Sequence, residues 1–192
     1  MNGIKEVLKA LIDRNIIVEH SKIVSKDVLL NKNRARIYSL IEKHPGINLL
    51  KIVKEINLSL SVVSWHLSIL ERFNFIKKEK EGGNTLYYRL NFSYNDARLL
   101  NLLTKKKCQK IIRLLLKISE PISVNNISNE LKMHRKTINS YLNKLIDFKL
   151  ITKEKSTHFF SYSLDRNRFS SIIENFKELE DVKPWLYLLV QE

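Results

Sequence analysis

The sequence predicts a mainly α-helical chain with small β-hairpins, an α+β fold built from two tandem units plus flanking helices. Two observations predict it. First, the apolar pattern repeats at an offset of 75 residues: Ile37 falls on Ile112, Leu40 on Leu115, Ile47 on Ile122, Ile52 on Ile127 and Ile56 on Leu131. The match continues with Leu67 on Leu142, Leu70 on Leu145, Phe73 on Phe148 and Ile76 on Ile151, with no gap over residues 37–80. A one-residue deletion in the second hairpin turn is then expected to bring Leu90 onto Leu164. A fixed offset of this length signals an internal duplication. Second, each copy switches from helical spacing to alternation at its end, where turn residues separate two short strand-like runs.

The elements follow in order. Residues 3–14 place Ile4, Val7, Leu8, Leu11 and Ile12 on one helical stripe. Residues 15–25 include Ile16-Ile17-Val18 and Ile23-Val24, which read as a short strand. Ser25 is placed to cap a segment beginning at Lys26. In the first copy Ile37, Leu40 and Ile41 give helical spacing, and His44-Pro45-Gly46 ends that helix. Ile47 starts a short strand, Asn48 caps a helix carrying Leu49, Ile52, Val53 and Ile56, and Asn57-Leu58 makes a turn. Ser59 caps the next helix, with Val63, Leu67 and Leu70 inward. Residues 75–80 and 85–90 form a hairpin about Gly82-Gly83, with Leu86, Tyr88 and Leu90 on one face.

Ser93 or Asn95 caps a connecting helix with Ala97, Leu100 and Leu103, expected to run into the next helix, where Ile111, Ile112, Leu115 and Leu116 pack. Ser123 caps residues 124–132, residues 134–149 form the third helix of copy two with Ile138, Leu142 and Leu145 inward, and residues 150–155 and 158–164 form its hairpin. Residues 167–180 add an amphipathic helix with Ile172, Ile173, Phe176 and Leu179, and the apolar tail after it docks on protein. The expected division is 1–30 extension, 31–92 first domain, 93–104 connecting helix, 105–166 second domain and 167–192 C-terminal helix and tail. Each domain, at about 60 residues, is near the lower limit for a self-sufficient core.

Charge narrows the function. The net charge of +14 is uneven: +1 over residues 1–30, +6 over 31–92, +10 over 105–168 and −3 over 169–192. A basic domain attracts polyanions and gains counterion-release free energy on nucleic acid. An AT-rich genome also favours Lys, Asn and Ile, but would not confine the excess to the two copies. The one cysteine, Cys108, allows no internal disulfide, residues 1–9 lack a signal-peptide pattern, and no apolar run approaches the roughly 20 residues that span a bilayer. A reducing cytoplasm and no membrane are therefore expected.

The order helix, strand, helix, turn, helix, strand, turn, strand is the plan of a winged helix-turn-helix. Residues 58–70, LSLSVVSWHLSIL, resemble the turn and recognition helix of ArsR-like and MarR-like transcription regulators, through Ser59, Val62-Val63, Ser64, His66-Leu67 and Leu70. The layout is similar to archaeal regulators with two winged units in one chain, closely over residues 26–92 and more loosely over 105–164. The resemblance implies a cytoplasmic regulator that binds double-stranded DNA, is not an enzyme, and dimerises through helices outside the winged units. Residues 3–14, 94–104 and 167–180 are the candidates for that role. A monomer grasping two successive grooves is the other arrangement the repeat allows.

A recognition helix shows one face to base edges in the major groove. The outward set in copy one is Leu60, Ser61, Ser64, Trp65, Ser68 and Ile69, with Ser59 at the cap. The same register gives Arg135, Lys136, Asn139, Ser140, Asn143 and Lys144 in copy two. Arg pairs with guanine and Asn with adenine at two points each, and Lys suits phosphate. Copy two is therefore expected to supply more of the specific base contacts. Thymine methyls suit Val62 or Leu60, Trp65 suits either DNA or protein packing, and His66 suits support of the helix. In the hairpins, Lys77, Lys78, Lys80, Asn84 and Arg89 of copy one and Lys153 and Lys155 of copy two are backbone or minor-groove candidates. The second tip, Ser156-Thr157-His158, lacks glycine, which weighs against a minor-groove role there. Arg34, Arg36 and Lys105-Lys106-Lys107 are further phosphate candidates.

His20, His44, His66, His134 and His158 show no metal-ligand spacing with Cys108, which suits a packing role. There is no phosphate-binding glycine loop, nucleophile elbow or apolar carboxylate pair, so neither cofactor nor catalysis is expected. The competing reading is a tandem winged-helix interaction module of the ESCRT-like, polymerase-accessory or chromosome-segregation type, which needs no basic recognition face.

Overall fold

The computed structural model describes residues 2–13, 24–155 and 159–189. The expected strand at residues 16–18 and the hairpin tip at 156–158 lie outside the described residues. The chain divides into two compact units, Met1–Asn101 and Leu102–Glu192.

Unit one runs α1 (Asn2–Asp13), a 3-10 turn (Ser25–Leu30), α2 (Lys32–Lys43), β1 (Ile47–Asn48), α3 (Leu49–Ile56), α4 (Leu60–Arg72), β2 (Ile76–Glu81), β3 (Asn84–Arg89) and α5 (Tyr94–Leu103), whose end crosses the division. Unit two runs α6 (Lys106–Lys117), β4 (Ile122–Ser123), α7 (Val124–Leu131), α8 (Arg135–Asp147), β5 (Ile151–Lys155), β6 (Phe160–Leu164), α9 (Arg166–Asn175) and α10 (Lys183–Leu189). The segment at Ser25 is thus a 3-10 turn flanked by Val24, with no side-chain cap. The connecting helix stops at Leu103 instead of running into α6, because Lys105 is extended (φ −74°, ψ 120°). Ser93 is its cap: the Asp96 N–H donates to Ser93 Oγ at 3.4 Å. The expected C-terminal helix is shorter than its apolar stripe suggests, and the tail forms a second helix of its own.

Caps set where the helices begin. The free N–H groups of a first turn need acceptors. Asn31 accepts from Asn33 and Arg34, Asn48 from Lys51, Ser59 from Val62 and Ser123 from Asn126. His134 takes this role for α8, its Nδ1 accepting from the Lys136 N–H at 3.3 Å. The turns between helices are set by left-handed residues. Asn57 (φ 59°) ends α3 and Lys132 (φ 49°) ends α7; Asn74 (φ 58°) and Lys149 (φ 57°) follow α4 and α8. Both pairs are 75 residues apart, so the duplication holds at the level of backbone conformation.

The sheets hold it too. Their strand orders are β1-β3-β2 and β4-β6-β5, all antiparallel. Ile47 pairs with Tyr87 and Ile76 with Arg89; Ile122 pairs with Tyr162 and Ile151 with Leu164. The offset therefore remains 75 to the end of the hairpin, and Leu164 corresponds to Arg89, not to Leu90. No deletion exists. Leu90 lies beyond β3 and is exposed, while Leu86, Tyr87 and Tyr88 are all buried. Simple alternation fails because both faces of β3 are covered: Tyr87 joins the core with α2 and α3, and Tyr88 stacks on Tyr94 of α5 at 6.3 Å.

The core of unit one gathers Ile37 and Ile41 of α2, Ile52 and Ile56 of α3, Val63, Leu67 and Leu70 of α4, and Ile47 and Ile76 of the sheet. Each fully buried aliphatic side chain contributes about 1.5–3 kcal/mol. Unit two repeats this with Ile112, Ile122, Ile127, Ile138, Leu142, Leu145 and Ile151, all buried. Gly46 (φ 86°) lets α5 approach: a Cβ there would overlap the Ala97 carbonyl. In α10, Trp185 is buried and meets the Phe169 ring edge-on at 5.4 Å, so the tail docks on α9.

Candidate nucleic-acid interface

In unit one, α4 presents Leu60, Ser61, Ser64, Trp65 and Ser68 to solvent. Ile69, expected among them, is buried. His66, Ile69, Leu70 and Phe73 form an i, i+3, i+4, i+7 stripe, and all four face inward. Two of the serines are already engaged. Ser59 caps the helix and lies 3.2 Å from Ser61 Oγ, and Ser68 Oγ donates to the Trp65 carbonyl at 2.7 Å. From Leu60 to Ser68 the outward face carries no charge, Arg72 being exposed one turn further on, and its largest feature is Trp65, 54% exposed.

The groups beneath Trp65 hold it in place. Arg34 is only 5% exposed, its Nε donates to the Val28 carbonyl at 2.7 Å, and its guanidinium lies 5.9 Å from the Trp65 ring centroid. Arg34 is thus a support for the helix, not a surface contact for phosphate. Its helix register turns it toward the 3-10 turn, whose carbonyl needs a donor. Arg36 is exposed, its Nη2 donating to the Ile56 carbonyl at 3.4 Å. His66 is 3% exposed, with its ring 4.9 Å from that of Trp65. Burial, and secondarily the nearby Arg34 charge, push the His66 pKa below its ordinary value.

The first hairpin sorts its cations. Lys77 and Lys80 are exposed along β2, and Asn84 is exposed at the turn beside Gly82 (φ 59°). Lys78 is paired with Glu71 at 2.6 Å. Arg89 is paired with Glu42 at 3.3 Å, at the end of the hairpin away from the turn. Helix α5 braces the turn end: Arg98 Nε lies 2.8 Å from Glu81 Oε2, and the Tyr94 hydroxyl donates to that carboxylate at 2.9 Å or to the Lys80 carbonyl at 3.0 Å.

In unit two, Ile138, Leu142 and Leu145 anchor α8, and Arg135, Lys136, Asn139, Ser140, Asn143 and Lys144 are all exposed. No hydrogen bond or ion pair engages these six side chains among the described residues. Lys153 and Lys155 are exposed on β5, and Lys153 Nζ sits 4.0 Å from the Phe160 ring centroid. Phe159 and Phe160, 57% and 45% exposed, belong to this surface and were not picked out from the sequence. The available signal was two adjacent aromatics just after the expected hairpin tip. At the start of α6, Lys106 and Lys107 are exposed. Cys108 beside them is buried, and burial pushes its thiol up to about 12. Among the described residues, no group of three His, Cys, Asp or Glu is placed to hold a metal, and no helix is long and apolar enough to cross a membrane.

Residues 30–77, from the start of α2 to the first residues of β2, match the family model described as winged helix-turn-helix DNA-binding. Over these residues the first unit is similar to that family. Over 137 residues, 70% of its length, the chain is 35% identical to an uncharacterized HTH-type transcriptional regulator of Methanocaldococcus jannaschii. The chain spans about a third (34%) of that relative's length. Among solved structures it is similar to the homodimeric winged helix-turn-helix DNA-binding domain of a possible ArsR-family regulator from Mycobacterium bovis. That match has 19% identity, covers 50% of this chain and 76% of that one, and has a TM-score of 0.35. It is also similar to a possible HxlR family transcriptional factor from Thermoplasma volcanium, with 19% identity, 61% and 99% coverage and a TM-score of 0.36. The second winged unit lies outside the span of the family model and carries the same element order and register at the offset of 75 residues.

Proposed function

We propose that the protein is a sequence-specific, non-enzymatic regulator of transcription that grips duplex DNA with both winged units. The observation that carries the reading is the face of α8. Arg135, Lys136, Asn139 and Asn143 stand exposed and unengaged among the described residues, on a helix locked by Ile138, Leu142 and Leu145. Arg and Asn match guanine and adenine edges, and Lys matches phosphate. Residues 105–168, which include α8, carry a net charge of +10. Unit two therefore supplies most of the base readout, and α4 contributes hydroxyls and apolar contact from Leu60, Val62 and Trp65. Lys77, Lys80, Asn84, Lys153 and Lys155 follow the backbone, while Lys78 and Arg89 contribute less because their charges are already met by Glu71 and Glu42.

The test is duplex binding across a salt series, followed by selection of a preferred site. Affinity is expected to fall steeply with salt, by roughly 0.9 log unit per log unit of salt for each phosphate contact. At the selected site, the Arg135→Ala, Asn139→Ala double variant is expected to lose on the order of 30-fold or more in affinity. Unchanged affinity in that variant, with loss on Trp65→Ala, would reverse the ranking of the two units.

A second reading rests on unit one alone. The exposed Leu60, Val62 and Trp65, at the uncharged N-terminal part of the α4 face, suit a protein partner, as in tandem winged-helix interaction modules. Weak duplex binding at every moderate salt concentration would favour it.

A further inference from the structure

We propose that the second hairpin carries an aromatic wedge, Phe159 and Phe160, that enters the base stack and distorts the duplex. This rests on the DNA reading above and adds a physical act to it: unit two reshapes the DNA it reads.

Two adjacent phenylalanines exposed at the turn end of the hairpin form an apolar patch of the kind that marks an interaction surface. The corresponding positions of unit one are Asn84 and Thr85, both polar, so the duplicated fold does not require aromatics there. The surroundings identify the cover. Lys155 stands directly opposite Phe160 in the sheet, and Lys153 lies over its ring. Phe159 and Phe160 line a shallow cavity of about 240 Å³ together with Ser123, Asn125 and Asn139. Asn139 is on the outward face of α8, so the rings open onto the surface that offers amides to base edges. Duplex DNA supplies both requirements: phosphates for the lysines and a stack of flat apolar rings for the phenylalanines. An ordinary apolar protein surface would cover the rings and leave the lysines unmatched.

The energetics determine what to measure. Stacking a base on an aromatic side chain stabilises by about 1–3 kcal/mol, while opening a base step costs a few kcal/mol. These nearly cancel, so the wedge changes DNA shape far more than affinity. The experiment uses the full chain on its selected duplex, labelled with 2-aminopurine at successive steps, and in parallel with a donor and acceptor dye at the two ends. The native protein is expected to raise 2-aminopurine fluorescence at one or two adjacent steps and to shorten the end-to-end distance. Phe159→Ala with Phe160→Ala is expected to abolish both signals and to weaken binding by less than about tenfold. Because both rings are exposed, thermal melting of the variant stays close to native. Retention of both signals in the variant overturns the proposal, as does a native complex that leaves the bases stacked. If the variant instead loses self-association in sedimentation while the fluorescence persists, the rings serve a protein contact and the wedge is wrong. Failure of the DNA reading is distinguishable, since the native chain would then show no salt-dependent duplex binding.

Discussion

At the scale of single residues, burial decides which side chains remain available. His66 is buried, as its expected role in supporting α4 requires, and Arg34, in the charge class expected to meet phosphate, is buried too. His66 makes a test by pH. Its folded pKa is depressed, so its contribution to stability is present above the unfolded value, 6.5, and is lost as pH falls below it. Melting temperature is therefore expected to drop from pH 7.5 to 5.5, and His66→Phe is expected to flatten that drop; an identical slope in the variant would exclude His66 as its source. Cys108 behaves in the opposite sense. With its thiol pushed up to about 12, stability due to it persists below the ordinary value of 9.0 and declines as pH rises toward 12. At neutral pH the native thiol is expected to resist a disulfide reagent that reacts rapidly after unfolding in urea. Fast native labelling would contradict its burial.

At the scale of elements, the same frame supports two different faces. Helices α4 and α8 share a length, inward triad and following left-handed residue, but one shows Ser and Trp while the other shows Arg, Lys and Asn. The inward positions are constrained by packing, and the outward ones diverge freely after duplication. The close approach at Gly46 gives an element-scale prediction. Gly46→Ala combines a positive φ with overlap against α5, and is expected to destabilise unit one by about 2–4 kcal/mol, read by urea unfolding. Binding that depends on α8 should survive at temperatures where unit two stays folded. Trp185→Ala is expected to cost about 3–5 kcal/mol by emptying the α9–α10 contact. A negligible change would mean that α10 is not held there.

At the scale of the whole molecule, the distribution of exposed apolar surface bears on assembly. Of the three helices expected to serve a dimer, α5 buries Ala97, Leu99, Leu100, Leu102 and Leu103, and α9 buries Phe169 and Ile173. Only α1, among these three, leaves its stripe open, with Ile4, Val7 and Leu8 all exposed. If two copies of the chain pair, α1 is the helix of these three with apolar surface left to bury. Ile4→Lys with Val7→Lys is expected to convert a concentration-dependent dimer to monomer in sedimentation equilibrium, with no loss of fold by circular dichroism. A chain that is monomeric before the change would refute this route, and the length of its DNA footprint would then report one chain spanning two units.

Much of this was legible without coordinates. The offset of 75, the inward triads of α4 and α8, the caps at Asn48, Ser59 and Ser123, and the outward cationic set of α8 all follow from period, spacing and short-range hydrogen bonding. These are local properties, set by residues within one or two turns of each other. What the sequence left open depended on neighbours distant in the chain. Packing on both faces of β3 buried Tyr87 as well as Tyr88, and Leu90 fell outside the pairing. The packing around α4 buried Ile69. The chain alone determines which faces exist; which of them water can reach is decided only when the elements pack, because burial is a property of pairs of surfaces and not of either one.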